Sequence, residues 1–232
     1  GGSNVGVGRD ALGANTTGSN NTAVGKSALN TTTTSSNNTG IGFQALYTLN
    51  GGVSNAALGH NALFNGTTCD NNTAVGKSAM ENITSGSKNV AVGTNALDAA
   101  TTADDNTAVG YEALGANTSG TDNVAVGQAA LDANTTGDLN TAVGSFALST
   151  ATTANNNTGL GYSALFLLET GSNNTAVGRG TGQLLTTGAQ NTYIGAEAGD
   201  AATTGANNTG VGYEALGKLT TGADNVGVGR AA

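Results

Sequence analysis

The chain has 232 residues, 38 of them glycine, with no proline, 4% aromatic and only 9% charged residues, where an ordinary soluble domain carries about 25% charged. A formal charge of −8 with seven scattered basic residues lacks the basic footprint of a nucleic-acid binder. No apolar run approaches the ~18 residues of a membrane span, and no amphipathic basic helix is legible, so membrane insertion is not expected.

The first element in chain order sets all the others. The pentapeptide Asn-Thr-Ala-Val-Gly at residues 21–25 recurs in varied form, and its closing glycine falls at Gly8, Gly25, Gly42, Gly59, Gly76, Gly93 and Gly110, then onward to Gly229, fourteen times at a spacing of 17 with no insertion. Disorder is the rival for so Gly-, Asn- and Thr-rich a chain, but disordered segments do not keep aliphatic residues in strict phase. Within the pentapeptide the asparagine is present in all fourteen copies, including Asn21, Asn38, Asn55, Asn72, Asn89, Asn106 and Asn123. The residue before the glycine is always Val, Ile or Leu, as at Val24, Val75 and Val109. Alternation along a strand puts Thr/Val together with this Val on one face and Ala with Gly on the other. The valine is expected to fill the interior of the rod.

After the glycine come two variable positions and then Ala-Leu, as in Ala28-Leu29 and Ala113-Leu114, which reads as a second short strand after a bend. Paired Thr or Ser follow, as at Thr16-Thr17, Thr101-Thr102 and Thr186-Thr187, and then a polar pair leads into the next asparagine. Each repeat thus predicts two or three short strands joined by tight turns, with Gly and Asn at the corners. Helical repeats fail on composition, and leucine-rich repeats need more leucines per unit. The expected fold is all-β: one domain over 1–232, a parallel β-solenoid of about fourteen 17-residue coils, in which stacked asparagines pass amide hydrogen bonds from coil to coil. At roughly 4.8 Å per coil the rod would be on the order of 65 Å long.

Two units depart from the pattern. At Tyr193 a bulky ring stands where other repeats have Ala or Gly, and in the same repeat the leucine becomes Gly199. Close-packed interiors conserve volume, so the alanine and leucine columns are expected to share one compartment. Because large side chains are few, that compartment, at Ala108, Leu114, Tyr193 and Gly199, is expected to meet neighbouring chains in a homotrimer. The preceding repeat also lacks its leucine, at Gly182, and carries Leu184 and Leu185 just after it.

The units N-T-A-V-G-Y-E-A-L-G-A-N-T-S-G and N-T-A-V-G-K-S-A-L resemble the head repeats of trimeric autotransporter adhesins, and more closely the repeats of bacteriophage tail-fibre proteins. The variant at Asn191 to Gly199 is similar to a second unit type of those fibres. The resemblance covers essentially the whole chain. It implies a trimer of parallel β-rolls, intertwined or side by side, on a virion tail fibre or cell surface.

Catalytic chemistry is not legible. The one histidine, His60, follows Gly59 at a variable position and reads as an exposed polar residue rather than a metal ligand. Asp104, Asp105, Asp122, Asp138 and Asp224 lie near the turn before the asparagine, but neighbouring copies carry Asn, Ser, Lys88 and Leu139, which favours solvated turns over a Ca²⁺ site. The stretch 178–182 lacks the lysine and hydroxyl ending of a phosphate loop. Cys69 reads as a tolerated small residue, and the Asn-x-Thr sequons follow from the repeat itself. No catalytic, metal or cofactor site is expected.

The functional expectation is an extracellular fibre for host or surface attachment, with cell-surface carbohydrate as an external partner. A self-assembling filament and an ice- or lattice-binding threonine ladder are the alternatives. The chain stops partway through a repeat with no capping segment, which predicts a piece of a longer fibre or ends covered by neighbours.

Overall fold

A computed structural model describes residues 2–232. The chain is an all-β parallel solenoid that divides between Ser119 and Gly120 into two compact units. The first holds β1 (Val5–Val7), β2 (Thr22–Val24), β3 (Thr39–Ile41), β4 (Ala56–Leu58), β5 (Thr73–Val75), β6 (Val90–Val92) and β7 (Thr107–Val109). The second holds β8 (Val124–Val126), β9 (Thr141–Val143), β10 (Thr158–Leu160), β11 (Thr175–Val177), β12 (Thr192–Ile194), β13 (Thr209–Val211) and β14 (Val226–Val228). Within each unit every strand pairs in parallel with the next, offset by 17 residues, so that Thr73 faces Val90 and Thr175 faces Thr192.

Each coil has one three-residue strand, not two or three. The Ala-Leu segment is a turn, and its leucines sit at φ of 49–54°, the left-handed region that a strand cannot contain. Backbone pairing nevertheless continues around the coil. In the strand the Thr22 N–H donates to Asn38 O at 2.9 Å and the Gly25 N–H to Val7 O at 2.8 Å, while in the turn Leu29 N–H donates to Ala45 O at 3.0 Å. A left-handed leucine is costly by roughly 1–3 kcal/mol, and here it is held by a coil-to-coil hydrogen bond on its backbone and, in the inner coils from Leu29 to Leu165, by full burial of its side chain.

The closing glycine of each pentapeptide, the clock glycine that recurs every 17 residues, has φ between 127° and 143° in every coil, a region that side chains rarely adopt. A Cβ on Gly76 would lie 2.4 Å from the carbonyl oxygen of Gly93. Both backbone shape and the approach of the next coil therefore require glycine.

The interior runs differently from the sequence expectation. Strand burial alternates outward, buried, outward, with the central Ala or Gly inside. The flanking Thr and Val of β5, β7 and β11 are only half-buried, so Val24, Val75 and Val109 line the outer face instead of filling the rod. The reason is volume. The leucine of each coil reaches beneath the strand, so that a Cβ on Gly40 would already stand 3.4 Å from Leu29 Cδ1. Only Ala or Gly fits between strand and leucine, and the larger side chains turn out.

A second pair of inward columns completes the core. One holds Leu49, Ile83, Ala100, Ala151 and Leu168, and three residues on lie Gly52, Gly86, Ala103, Ala154 and Gly171. Large is followed by glycine, because a Cβ on Gly52 would come within 2.5 Å of Leu49 Cδ1 and one on Gly171 within 2.6 Å of Leu168 Cδ1, whereas Ala100 and Ala151 leave room for Ala103 and Ala154. Where the first column has Gly66, the second accommodates Cys69.

Candidate functional site

The asparagine ladder is the most repeated feature of the chain, and its geometry is the same coil after coil. Asn72 takes its place through five bonds: its N–H donates to Asn55 Oδ1 (3.0 Å), its Nδ2 donates to Asn55 Oδ1 (3.2 Å) and to Gly86 O (2.9 Å), and its Oδ1 accepts the Asn89 N–H (2.9 Å) and Asn89 Nδ2 (3.1 Å). Asn21, Asn38 and Asn55 carry the same pattern below it, and Asn106 donates its N–H to Asn89 Oδ1. In the second unit Asn123 donates to Gly137 O and accepts from Asn140. The ladder asparagines of the inner coils are buried to within 2% exposure. The carboxamide alone offers both an acceptor and two donors at this length. Aspartate would lose the donors and stack charges one coil apart. The ladder is therefore a scaffold, closed to solvent, and Gly25, Gly76 and Gly110 follow it at each corner.

A second ladder escaped the sequence reading. In the column two residues before the asparagine, a short polar side chain accepts the backbone N–H of the coil before it: Asp70 from Val53, Asp104 from Ser87, and in the second unit Asn155 from Asp138. Asp104 and Asp138 thus serve the backbone, Asp138 accepting from Thr121. Asp105, Asp122 and Asp224 belong to the next column, which is exposed and left-handed. A third ladder uses threonine: Thr67 Oγ1 donates to Thr84 O at 2.8 Å and Thr84 Oγ1 to Thr101 O at 2.9 Å.

The residues expected to touch neighbouring chains lie elsewhere than expected. Ala108, Leu114 and Tyr193 have no exposed surface in the single chain, and Gly199 is buried. The inference that alanine and leucine columns share a compartment holds, but it is the coil's own core and offers nothing to a second chain. Tyr193 fills the space of two leucines: its ring lies 2.7 Å from a Cβ placed on Gly199 and 3.4 Å from one on Gly182. This accounts for the missing leucine at Gly182, while Leu185 occupies its ordinary buried column and Leu184 is exposed.

Two surfaces remain open. The first is the strand face, on which Val5, Val7, Ile41, Leu58 and Val92 in the first unit and Leu160, Ile194, Val226 and Val228 in the second are all at least 37% exposed. No charged residue occurs in either outward strand column. The second is a patch in the first unit. Phe43 and His60, one coil apart, stack at 5.0 Å, Tyr47 and Phe64 stack at 5.1 Å, and Lys26 Nζ lies 5.3 Å from the Phe43 centroid.

Titratable groups are few. Burial pushes the Cys69 thiol up to about 12, so it is a core residue and not a nucleophile. Asp98 and Asp200 are raised above the ordinary carboxylate range, first by burial and then by neighbouring glutamates, Glu81 and Glu112 for the former and Glu197 and Glu214 for the latter. Among the described residues no group of three or more His, Cys, Asp or Glu could hold a metal ion, and no helix is long and apolar enough to cross a membrane. No protein-family model, no curated protein and no solved structure matches this chain.

Proposed function

We propose that the chain is a segment of an extracellular, non-enzymatic fibre, a phage tail fibre or surface adhesin shaft, that works as a homotrimer and supports attachment to host or surface. One observation carries the reading: every coil leaves an uncharged strand face of Thr or Val (Ala56 in one coil) and Val, Ile or Leu half-buried or exposed, while the ladder side chains bond within the chain. Aliphatic surface repeated at each coil contributes about 25 cal/mol per Å² when covered. A second and third copy of the same face, uncharged and of the same coil spacing, suit it better than a polar partner. Association along that face supplies stiffness, and repetition gives multivalent display to whatever the fibre contacts.

The lattice-binding alternative draws less support, because Thr67, Thr84 and Thr186 turn their hydroxyls to a backbone carbonyl of the next coil and Thr33 turns its hydroxyl to Asn50 Oδ1. Electron microscopy of the purified chain tests the proposal. Rods of one length and a width of three chains support it, indefinite filaments favour a self-polymerising subunit, and single thin rods with measurable thermal hysteresis favour the lattice binder.

A further inference from the structure

The patch on the first unit combines aromatic rings and cations with a long stretch free of acidic residues. Of the ten aromatic or histidine residues in the chain, four, Phe43, Tyr47, His60 and Phe64, fall in two consecutive coils. No aspartate or glutamate occurs anywhere in residues 11–69, although the chain has 15. In the column directly after the clock glycine, four consecutive coils present Lys26, Phe43, His60 and Lys77. All four are exposed. Successive coils stand roughly 4.8 Å apart, so this row spans roughly 14 Å with a cation at each end.

The rings do not offer their faces. Phe43 stacks on His60, and its column neighbour Lys26 approaches the ring, while Tyr47 and Phe64 lie nearly parallel at 8°. Rings stacked along the coil direction turn their edges outward. An aromatic edge carries the positive end of the ring quadrupole, and with two ammonium groups and an imidazole N–H it makes a row that favours anions. The adjoining column supplies Ser27 and Gln44, whose hydroxyl and amide groups both donate and accept. These suit sugar hydroxyls.

We infer that the row Lys26, Phe43, His60, Lys77 binds a linear carboxylated polysaccharide, a uronic-acid chain lying along the direction in which the coils stack. The chain as a whole carries −8, and its carboxylates lie outside residues 11–69, so such a ligand is repelled elsewhere and approaches along Lys26, Phe43 and His60, while Lys77 at the far end of the row shares its coil with Glu81. The inference deepens the attachment reading and rests on it, yet it fails separately: rods can form and bind no uronate.

The test is calorimetric titration of the full chain with tetragalacturonate, and with the neutral tetragalactoside as comparison. Saturable binding of the acidic oligosaccharide is expected, weaker by about tenfold or more in the double variant Lys26→Gln, Lys77→Gln. It is also expected to fall steeply as salt rises toward about 1 M. Phe43→Ser reports on the ring edge and is expected to weaken binding with the circular-dichroism spectrum unchanged. Lys218→Gln, in the second unit, is expected to leave binding as it was. No saturable binding, equal binding of the neutral oligosaccharide, or an equal loss in Lys218→Gln would overturn the inference.

Discussion

The ring of Tyr193 occupies the space in which Gly199 would carry its side chain: three ring carbons stand 2.7 Å from the Cβ that any other residue would add. The same ring lies over Gly182 of the preceding coil, and its hydroxyl reaches Asn191 Oδ1 at 3.3 Å. One aromatic side chain thus replaces two left-handed leucines, at positions where glycine adopts φ of 59° without strain.

Exchange of volume predicts a rescue. Tyr193→Ala opens a cavity and is expected to cost about 3–5 kcal/mol. Gly199→Leu alone forces a leucine into the ring and is also destabilising. The double variant rebuilds the ordinary coil and is expected to recover part of the loss, a coupling of at least about 1 kcal/mol in a double-mutant cycle read by urea unfolding.

Ladder bonds make the inner asparagines intolerant of change. Asn72→Ala strips the Asn89 N–H and the Gly86 carbonyl of a buried partner, at an expected cost of about 2–4 kcal/mol. Asn72→Asp keeps the acceptor but removes the donor, so it is expected to be destabilising as well at neutral pH. Equal midpoints for either variant and the parent in denaturant would contradict the ladder's role.

What was legible in the sequence follows from how narrowly each position is constrained. The asparagine and clock glycine columns admit one residue type because one hydrogen-bond geometry and one backbone shape demand it, and that invariance is visible in the sequence. The shared compartment of Ala and Leu was legible through the single swap at Tyr193 and Gly199. The direction of Val24, Val75 and Val109 was not, because hydrophobicity alone does not say which strand face is inward when the space inside admits only Ala or Gly. The pairing of Leu49 with Gly52 and of Gly66 with Cys69 escaped for a related reason: several residue combinations satisfy the same volume, so no single column looks constrained. The aromatic row was hidden because Lys26, Phe43, His60 and Lys77 share a place only after the coils are stacked.

Acidity should stabilise the chain through its two half-buried aspartates. Asp98 and Asp200 are raised, chiefly by burial, so the folded state holds their protons more tightly than the unfolded state. Their contribution is present below the ordinary carboxylate value of about 3.9 and is lost as pH rises through the higher folded value. The double variant Asp98→Asn, Asp200→Asn is expected to melt above the parent at pH near 7, with the difference shrinking toward pH near 4. Melting curves at the two pH values check this, and a difference that grows on acidification would contradict it.

Outward valines should matter to assembly and little to folding. Val75→Lys with Val109→Lys changes half-buried positions on the outer strand face, and is expected to cost the coil about 1 kcal/mol or less. Circular dichroism should remain that of the parent, while light scattering should show a smaller particle. An unchanged particle size would remove the strand face from the interface.

The most direct measurement is sedimentation equilibrium of the unmodified chain. A mass three times that of one chain, independent of loading over the accessible range, is the result expected of a fibre whose strand faces pack together. A single-chain mass, with the fold retained on heating, would contradict it.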